Sequence, residues 1–414
     1  MTAEVAILNT HGVALAADSA VTVRVGGENK VYNTANKLFA LSKYRPIGIM
    51  IYNKAAYMGI DWEILIKEFR KKLNKEKCDS LFGYADKFIN YIKEYAFFTE
   101  DQQKKVLLSI CKIIVSLVRN SFFHALKDKF KSTENITLRQ AASIFDSVIN
   151  NIQKQLDGVD NQTNYTLDVD FIEKNKVAII GIIDELFEKY KTSIKQKESI
   201  LEIIKSDVKK ANSTYNYSGI VIVGYGDKDI FPSIYQCEIC GKIGNSFILV
   251  NEKKHSISYE DTAFIAPFAQ SEMVHTFMRG IDPDIQEAID NRLNNLMMAI
   301  SDIIGKSYKN KLIKIKDEFM DHLIDLQHES YINPIMDIVE SLQKIDLAEM
   351  AETLVNLTAF KRHVSKNAET VGGPTDVAVI TKGDGFVWIK RKHYFDIKLN
   401  QSFLKNYFME DTDD

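Results

Sequence analysis

Several constellations in this 414-residue chain combine residue types that do chemistry. Cys237-Glu-Ile-Cys240 has the spacing of half a zinc site or of a redox dithiol. A structural zinc needs four ligands, and the other two cysteines, Cys78 and Cys111, lie far off in stretches of helical pattern. A strand position accounts for Cys237 without a metal. Asp321-His322…Asp325…His328 could gather ligands along a helix, yet His322 and His328 are six apart, on poorly aligned faces. Gly224-Tyr-Gly226 lacks the third glycine and the helix start of a dinucleotide loop. The basic stretch 67–77 with Arg70-Lys-Lys72 is diluted by Glu68 and Glu76, and reads as a solvated helix face rather than a nucleic-acid contact. Neither a metal nor an organic cofactor is expected from these residues.

The elements that would position reactive groups are β-rich at the chain's ends and helical between them. Glu4-Val-Ala-Ile-Leu8 and Val13-Ala-Leu-Ala-Ala17 flank the turn His11-Gly12 and predict a hairpin. Lys37-Leu-Phe-Ala-Leu41 and Pro46-Ile-Gly-Ile-Met-Ile51 are two further strands. From Asp61 the period becomes helical, with Trp62, Ile64, Leu65, Ile66 and Phe69 among charged neighbours. Thr99-Glu-Asp-Gln102 and Thr137-Leu-Arg-Gln140 are capping boxes, and 157–164 is a polar loop. Strands resume at 219–224, 233–239, 247–250 and 263–265, helices from about 271 to 365. A hairpin through Asp384-Gly385 closes the pattern.

Composition bounds the class. Forty-five per cent hydrophobic and 26% charged residues are globular values. Six prolines occur where average usage gives about 20, which favours long helices. A net charge of −3 gives no overall attraction to nucleic acid or membrane. No apolar run reaches the ~18–20 residues that cross a bilayer. Met-Thr-Ala-Glu is no signal peptide, and four cysteines are no disulfide framework. The expectation is a cytoplasmic protein.

Four motifs, in order, carry a resemblance. They are Thr2-Ala-Glu-Val-Ala-Ile-Leu-Asn-Thr-His-Gly-Val-Ala-Leu-Ala-Ala-Asp-Ser-Ala-Val-Thr22, Asn36-Lys-Leu-Phe-Ala-Leu41, Ile222-Val-Gly-Tyr-Gly-Asp227 with Phe231-Pro-Ser-Ile-Tyr-Gln236, and Thr370-Val-Gly-Gly-Pro-Thr-Asp-Val-Ala-Val-Ile-Thr-Lys382. Together they resemble proteasome β subunits and their bacterial relatives, which are N-terminal-nucleophile (Ntn) hydrolases. The matching stretches are roughly 1–62, 216–275 and 350–392.

The resemblance implies that Thr2, exposed by removal of Met1, is the nucleophile and its own α-amine the general base. A free α-amine titrates near pH 8, already close to operating pH. By the same resemblance Lys37 lies beside the nucleophile and Asp18 neutralises and orients it. Ser19 is the family's short polar residue after the aspartate. An oxyanion donor falls near the backbone of Ile51 and Tyr52, where the family has a glycine and this chain has none. The family's C-terminal Asp and Ser correspond to Ala368 and Val371 here, with Glu369 and Thr370 as the nearest polar replacements. Its other accessory serine falls near Ser271, which is equally a helix N-cap.

The fold so implied is α+β, a four-layer αββα sandwich of the Ntn type with two large helical insertions. Core segments would be 1–74, 211–279 and 346–414, with insertions at 75–210 and 280–345. The apolar stripe Leu107, Ile110, Ile114, Leu117 must bury a face, within a cap over the Thr2 cleft or between chains. The expected function is hydrolysis of an amide, foremost a peptide, through an acyl-ester on Thr2. An inactive scaffold that binds a protein partner through its insertions and an amidase for a small substrate are the alternatives. A monomer or small homo-oligomer is expected, with no nucleic-acid or membrane partner.

Overall fold

A computed structural model describes residues 2–402 except 26–27, 96–97, 131–135, 159–166, 189, 211–216 and 366–370. The chain begins with the hairpin β1 (Ala3–Asn9) and β2 (Gly12–Ala17), then a ribbon of β3 (Val21–Val25) and β4 (Glu28–Tyr32). β5 (Leu38–Ala40), β6 (Ile47–Tyr52) and the short hairpin β7 (Ala56–Tyr57) and β8 (Ile60–Asp61) follow. The first helical stretch holds α1 (Trp62–Leu73), α2 (Leu81–Glu94), α3 (Glu100–Lys129), α4 (Leu138–Asp157), α5 (Val169–Lys174), α6 (Lys176–Leu186) and α7 (Ile194–Lys210). Both sequence-predicted capping boxes form, Thr99 with Gln102 at α3 and Thr137 with Gln140 at α4. Next come β9 (Ser218–Gly224), β10 (Ser233–Ile243), β11 (Ser246–Ser256) and β12 (Ala263–Ala269). The second helical stretch is α8 (Glu272–Arg279), α9 (Pro283–Ile304), α10 (Lys309–Gln327), α11 (Asn333–Ser341) and α12 (Lys344–Val364). The hairpin β13 (Asp376–Thr381) and β14 (Gly385–Lys390) completes the α+β fold.

Two five-stranded antiparallel sheets result, in the orders β12-β1-β2-β13-β14 and β11-β10-β9-β6-β5. Strands β1, β2, β6, β9 and β13 are buried on both faces, which is why they read as unbroken apolar runs. Alternation sorts their side chains. Ala6, Leu8, Val13 and Leu15 of the first sheet meet Met50 and Val221 of the second in a shared core. On the other face of the first sheet, Val5, Ile7 and Val377 pack against Leu347 and Leu354 of α12. On the other face of the second, Ile49 and Ile222 pack against Trp62 and Phe69 of α1 and Phe88 of α2.

Helices α3 to α7 have a core of their own. Leu107, Ile110, Ile114 and Phe122 of α3 bury against Phe145, Ile183 and Ile204, and the cluster reaches the second sheet at Cys240, Ile243 and Ile248. Leu117, the last member of the predicted stripe, is instead 48% exposed. The sequence expectation of no membrane-length apolar segment needs correction at α3, which by length and composition is apolar enough to cross a bilayer. Its apolar face is taken up by the neighbouring helices. The helices α9 and α10 differ, for Leu296, Ile303, Ile315 and Phe319 are all exposed.

Phe122 is fully buried with its ring 5.4 Å from Phe145 and 4.9 Å from Tyr190, centroid to centroid. Phe122→Ala should therefore cost about 3–5 kcal/mol, read as a fall in the urea midpoint. Leu117→Ala on the same helix should change stability by less than about 0.5 kcal/mol.

Candidate active site

The hairpin of β1 and β2 returns the chain to its own start. Glu4 pairs with Ala17, so Asp18 falls just beyond the ladder, opposite Ala3. The backbone N–H of Asp18 donates to the Ala3 carbonyl at 3.0 Å. Its side chain closes the next ring, for the Ala3 N–H donates to Asp18 Oδ1 at 3.0 Å. The same oxygen receives Lys37 Nζ at 2.5 Å. The other, Oδ2, receives the amides of Ala20 at 3.2 Å and Gly372 at 3.1 Å. Four donors on two oxygens fill the acceptor capacity of a carboxylate.

Each partner is itself fixed. Lys37 directly precedes β5, and its carbonyl accepts the Ile51 N–H at 2.9 Å. Gly372 reaches Asp18 because Gly373 can take φ +76°, at a point where a Cβ would come within 2.7 Å of Asn33. Ser19 is tied to the same loop. Its N–H donates to the Gly372 carbonyl at 3.2 Å, and its hydroxyl donates to the carbonyl of Pro374. That bonding makes Ser19 a brace between β2 and the C-terminal hairpin.

Thr2 lies on this framework with its carbonyl accepting the Gln270 N–H at 3.0 Å. By strand alternation it shares a face with Glu4, Ala6 and Leu8, the face turned to the second sheet. Thr2, Asp18 and Lys37 are thus brought together, at 4%, 1% and 6% exposure. Met1 and Glu369 lie outside the described residues, as do Ala368 and Thr370. Val371 packs in the core beneath α12 and presents no polar group. Ser271 does stand at the start of α8, one residue past Gln270, with no side-chain capping bond there. Two residues before it, where β12 pairs with Ala3, the backbone is strained, for Ala269 takes φ +62°.

The two expected oxyanion positions fare less well. The Ile51 N–H is already spent on Lys37. Successive amides point to opposite sides of a strand, so that of Tyr52 turns toward its register partner Gly219 in β9. The Tyr52 side chain covers the inner face of the second sheet. Its ring lies on Gly219, where a Cβ would meet it at 2.0 Å, and stacks on Phe268 of the first sheet at 5.6 Å. Its hydroxyl accepts Gln236 Nε2 at 3.0 Å. The chain leaves the strand at Asn53, which takes φ +73°.

Sequence reasoning missed Glu4. It is 1% exposed, and neither carboxylate oxygen has a hydrogen-bond partner among the described residues. Burial pushes its carboxyl well above the ordinary range, the Lys37 ammonium pulls it back, and the Asp18 carboxylate adds to the rise. The available signal was a charged residue inside an apolar strand, two residues from Thr2. The cysteines of the Cys237-x-x-Cys240 motif lie in different cores, and burial pushes the Cys240 thiol up to about 12.

A folded-state pKa above the unfolded value means that the folded chain holds this proton more tightly. Stability present below pH 4.5 is then lost as pH rises toward the folded value of Glu4, by about 1.4 kcal/mol per pH unit. Glu4→Gln removes the titration. Its thermal midpoint should match the parent near pH 4 and exceed it increasingly at higher pH. Parallel pH profiles of parent and variant would speak against a buried, neutral Glu4.

Neither any protein-family model nor any curated protein matches the chain, so no relative's activity bears on this cluster.

Proposed function

We propose that the chain is a threonine-type Ntn hydrolase that cleaves amide bonds through an acyl-ester on Thr2. The observation that carries this reading is the Asp18 carboxylate, which joins the Lys37 ammonium to the amide following Thr2 through one oxygen. The stacking of two antiparallel sheets, with helices on both outer faces, supports the αββα sandwich of that class. With Met1 removed, the α-amine of Thr2 takes the hydroxyl proton as Oγ1 attacks the amide carbon. The C–N bond then breaks, and the same proton passes to the leaving amine. Water attacks the ester, releases the acid and restores the hydroxyl. Lys37 favours the neutral amine and the developing alkoxide, while Asp18 holds the lysine in place.

A second reading, an amidase for a small substrate, is favoured by the ring of Tyr52. Stacked on Phe268 and seated on Gly219, it bridges the two sheets on the face that Thr2 shares. Such bulk narrows the approach for an extended peptide.

An α′,β′-epoxyketone tests the chemistry, because it needs both the hydroxyl and the free amine of an N-terminal threonine. Intact mass should show a chain beginning at Thr2 and a single adduct on it. Lys37→Ala should slow labelling by about 100-fold or more with the circular dichroism preserved, and Asp18→Asn should weaken it. A folded protein that retains Met1, or a Lys37→Ala variant that labels at the parental rate, overturns the proposal.

A further inference from the structure

Helices α9 and α10 form an antiparallel hairpin joined to itself by polar contacts. Lys316 Nζ donates to Asp290 Oδ1 at 2.9 Å, and the side-chain amides of Gln286 and Gln327 exchange hydrogen bonds at 3.5 and 3.3 Å. The helices are 22 and 19 residues long, yet each buries a single residue, Ser301 in α9 and Gln327 in α10. Neither is apolar. Helices in proteins are held chiefly by the packing of an apolar face. This hairpin has such a face and leaves it open.

Ile285, Leu296 and Ile303 lie 11 and 7 residues apart on α9, close to whole turns, and so form one stripe. Ile315, Phe319 and Leu326 form a second stripe on α10. All six are more than half exposed. Ile285, Ile315 and Leu326 each directly precede a residue that joins the two helices, namely Gln286, Lys316 and Gln327. At about 100° per residue, both stripes stand at the same angle, in the same sense, from the line between the helices. Because the helices run in opposite directions, the two stripes fall on one side of the hairpin. Arg292 and His322 interrupt them, and polar residues at such positions fix the register of paired helices.

Charge is sorted along the hairpin. Its tip, residues 302–316, carries five lysines and one acid, Asp302. Its root, residues 283–291 and 317–327, carries seven acids and no lysine or arginine. The acidic root repels nucleic acid and anionic membrane alike. A second hairpin laid head to tail on the face sets each tip against the other's root, so the surface complements itself.

We propose that this face is a homodimer interface, in which two α9–α10 hairpins pack head to tail across a two-fold axis as a four-helix bundle. The hairpin is about 30 Å long and about 20 Å wide, a face of about 600 Å² before the relief of the side chains is added. Each partner in a stable interface contributes about 600–1,000 Å². The interface uses no residue of the Thr2 cluster and is independent of the activity proposed for it.

Sedimentation velocity of the full chain over about 1–100 µM tests it and should show a monomer–dimer equilibrium. Leu296→Glu and Phe319→Glu should each weaken the dimer about 100-fold, because the two-fold axis counts every change twice. Both positions are exposed in the single chain, so circular dichroism should not change. Lys309→Glu with Lys311→Glu should weaken the dimer about tenfold, and adding Asp321→Lys and Asp325→Lys should restore it. A chain that stays monomeric throughout would assign the face to a different protein and overturn the proposal. So would glutamate variants that dimerise like the parent, or lysine reversals that the counter-reversals fail to rescue.

Discussion

The Asp18 carboxylate receives the amides of Ala3, Ala20 and Gly372 and the ammonium of Lys37, donors from four separate stretches of the chain. Because the pair with Lys37 is buried, removing either partner would strand the other charge, at a cost of about 3–5 kcal/mol. The start of β1, the turn after β2, the residue before β5 and the Gly372-Gly373 loop are therefore fixed relative to one another by one side chain. Thr2 gains most from this. The amide after it is held by Asp18 and its carbonyl by Gln270, so its backbone is fixed from both sheet neighbours before any substrate arrives. Positional precision of this kind is what a reacting group needs.

Glu4 is the counterpart of that saturated carboxylate. It occupies an inner-face position of β1, between Thr2 and Ala6, where an alanine or leucine would meet the pattern of the strand. Burying an unbonded carboxyl there costs stability even when it is neutral. A protonated Glu4 leaves Asp18, among the described residues, as the one carboxylate charge facing Lys37, so the ion pair is undivided. An ionised Glu4 would compete for the same ammonium. A strand that breaks its own apolar rule beside a candidate nucleophile is where sequence logic and stability most often yield to function.

How much of this was legible follows from where each signal resides. The hairpin, the two capping boxes and the final hairpin are local, and their residues announce them. The ribbon of β3 and β4 had its signal too, in the alternation Val21, Val23, Val25, yet a mixed charged neighbourhood obscured it. The convergence of Asp18 and Lys37 followed from motif resemblance, since no spacing alone brings residues 18 and 37 to 2.5 Å. The loss of Ile51 as an oxyanion donor was not legible, because it depends on which edge of β6 its amide faces. Glu4 was missed for a different reason. Charge is visible in sequence, but the absence of a partner for it is a property of three dimensions.

The interrupting helices bear on the site only indirectly. Strand β6 pairs with β9 across α1 to α7, and β2 with β13 across most of the chain. Loop-closure entropy grows so slowly that each doubling of the intervening length adds only about 0.6 kcal/mol, so the sheets tolerate such long detours. What the detours need is a means of ordering themselves. Helices α3 to α7 have it in their own core, whereas α9 and α10 leave much of their apolar surface in water. All four donors to Asp18 lie outside both helical stretches. The first stretch reaches toward Thr2 through β10, whose Gln236 holds the Tyr52 hydroxyl. The second does so through α8, which begins directly after the Ser271 carbonyl and two residues past the Gln270 amide that holds Thr2. Movement of either helical stretch would therefore alter the walls around Thr2 before it disturbed the Asp18–Lys37 pair.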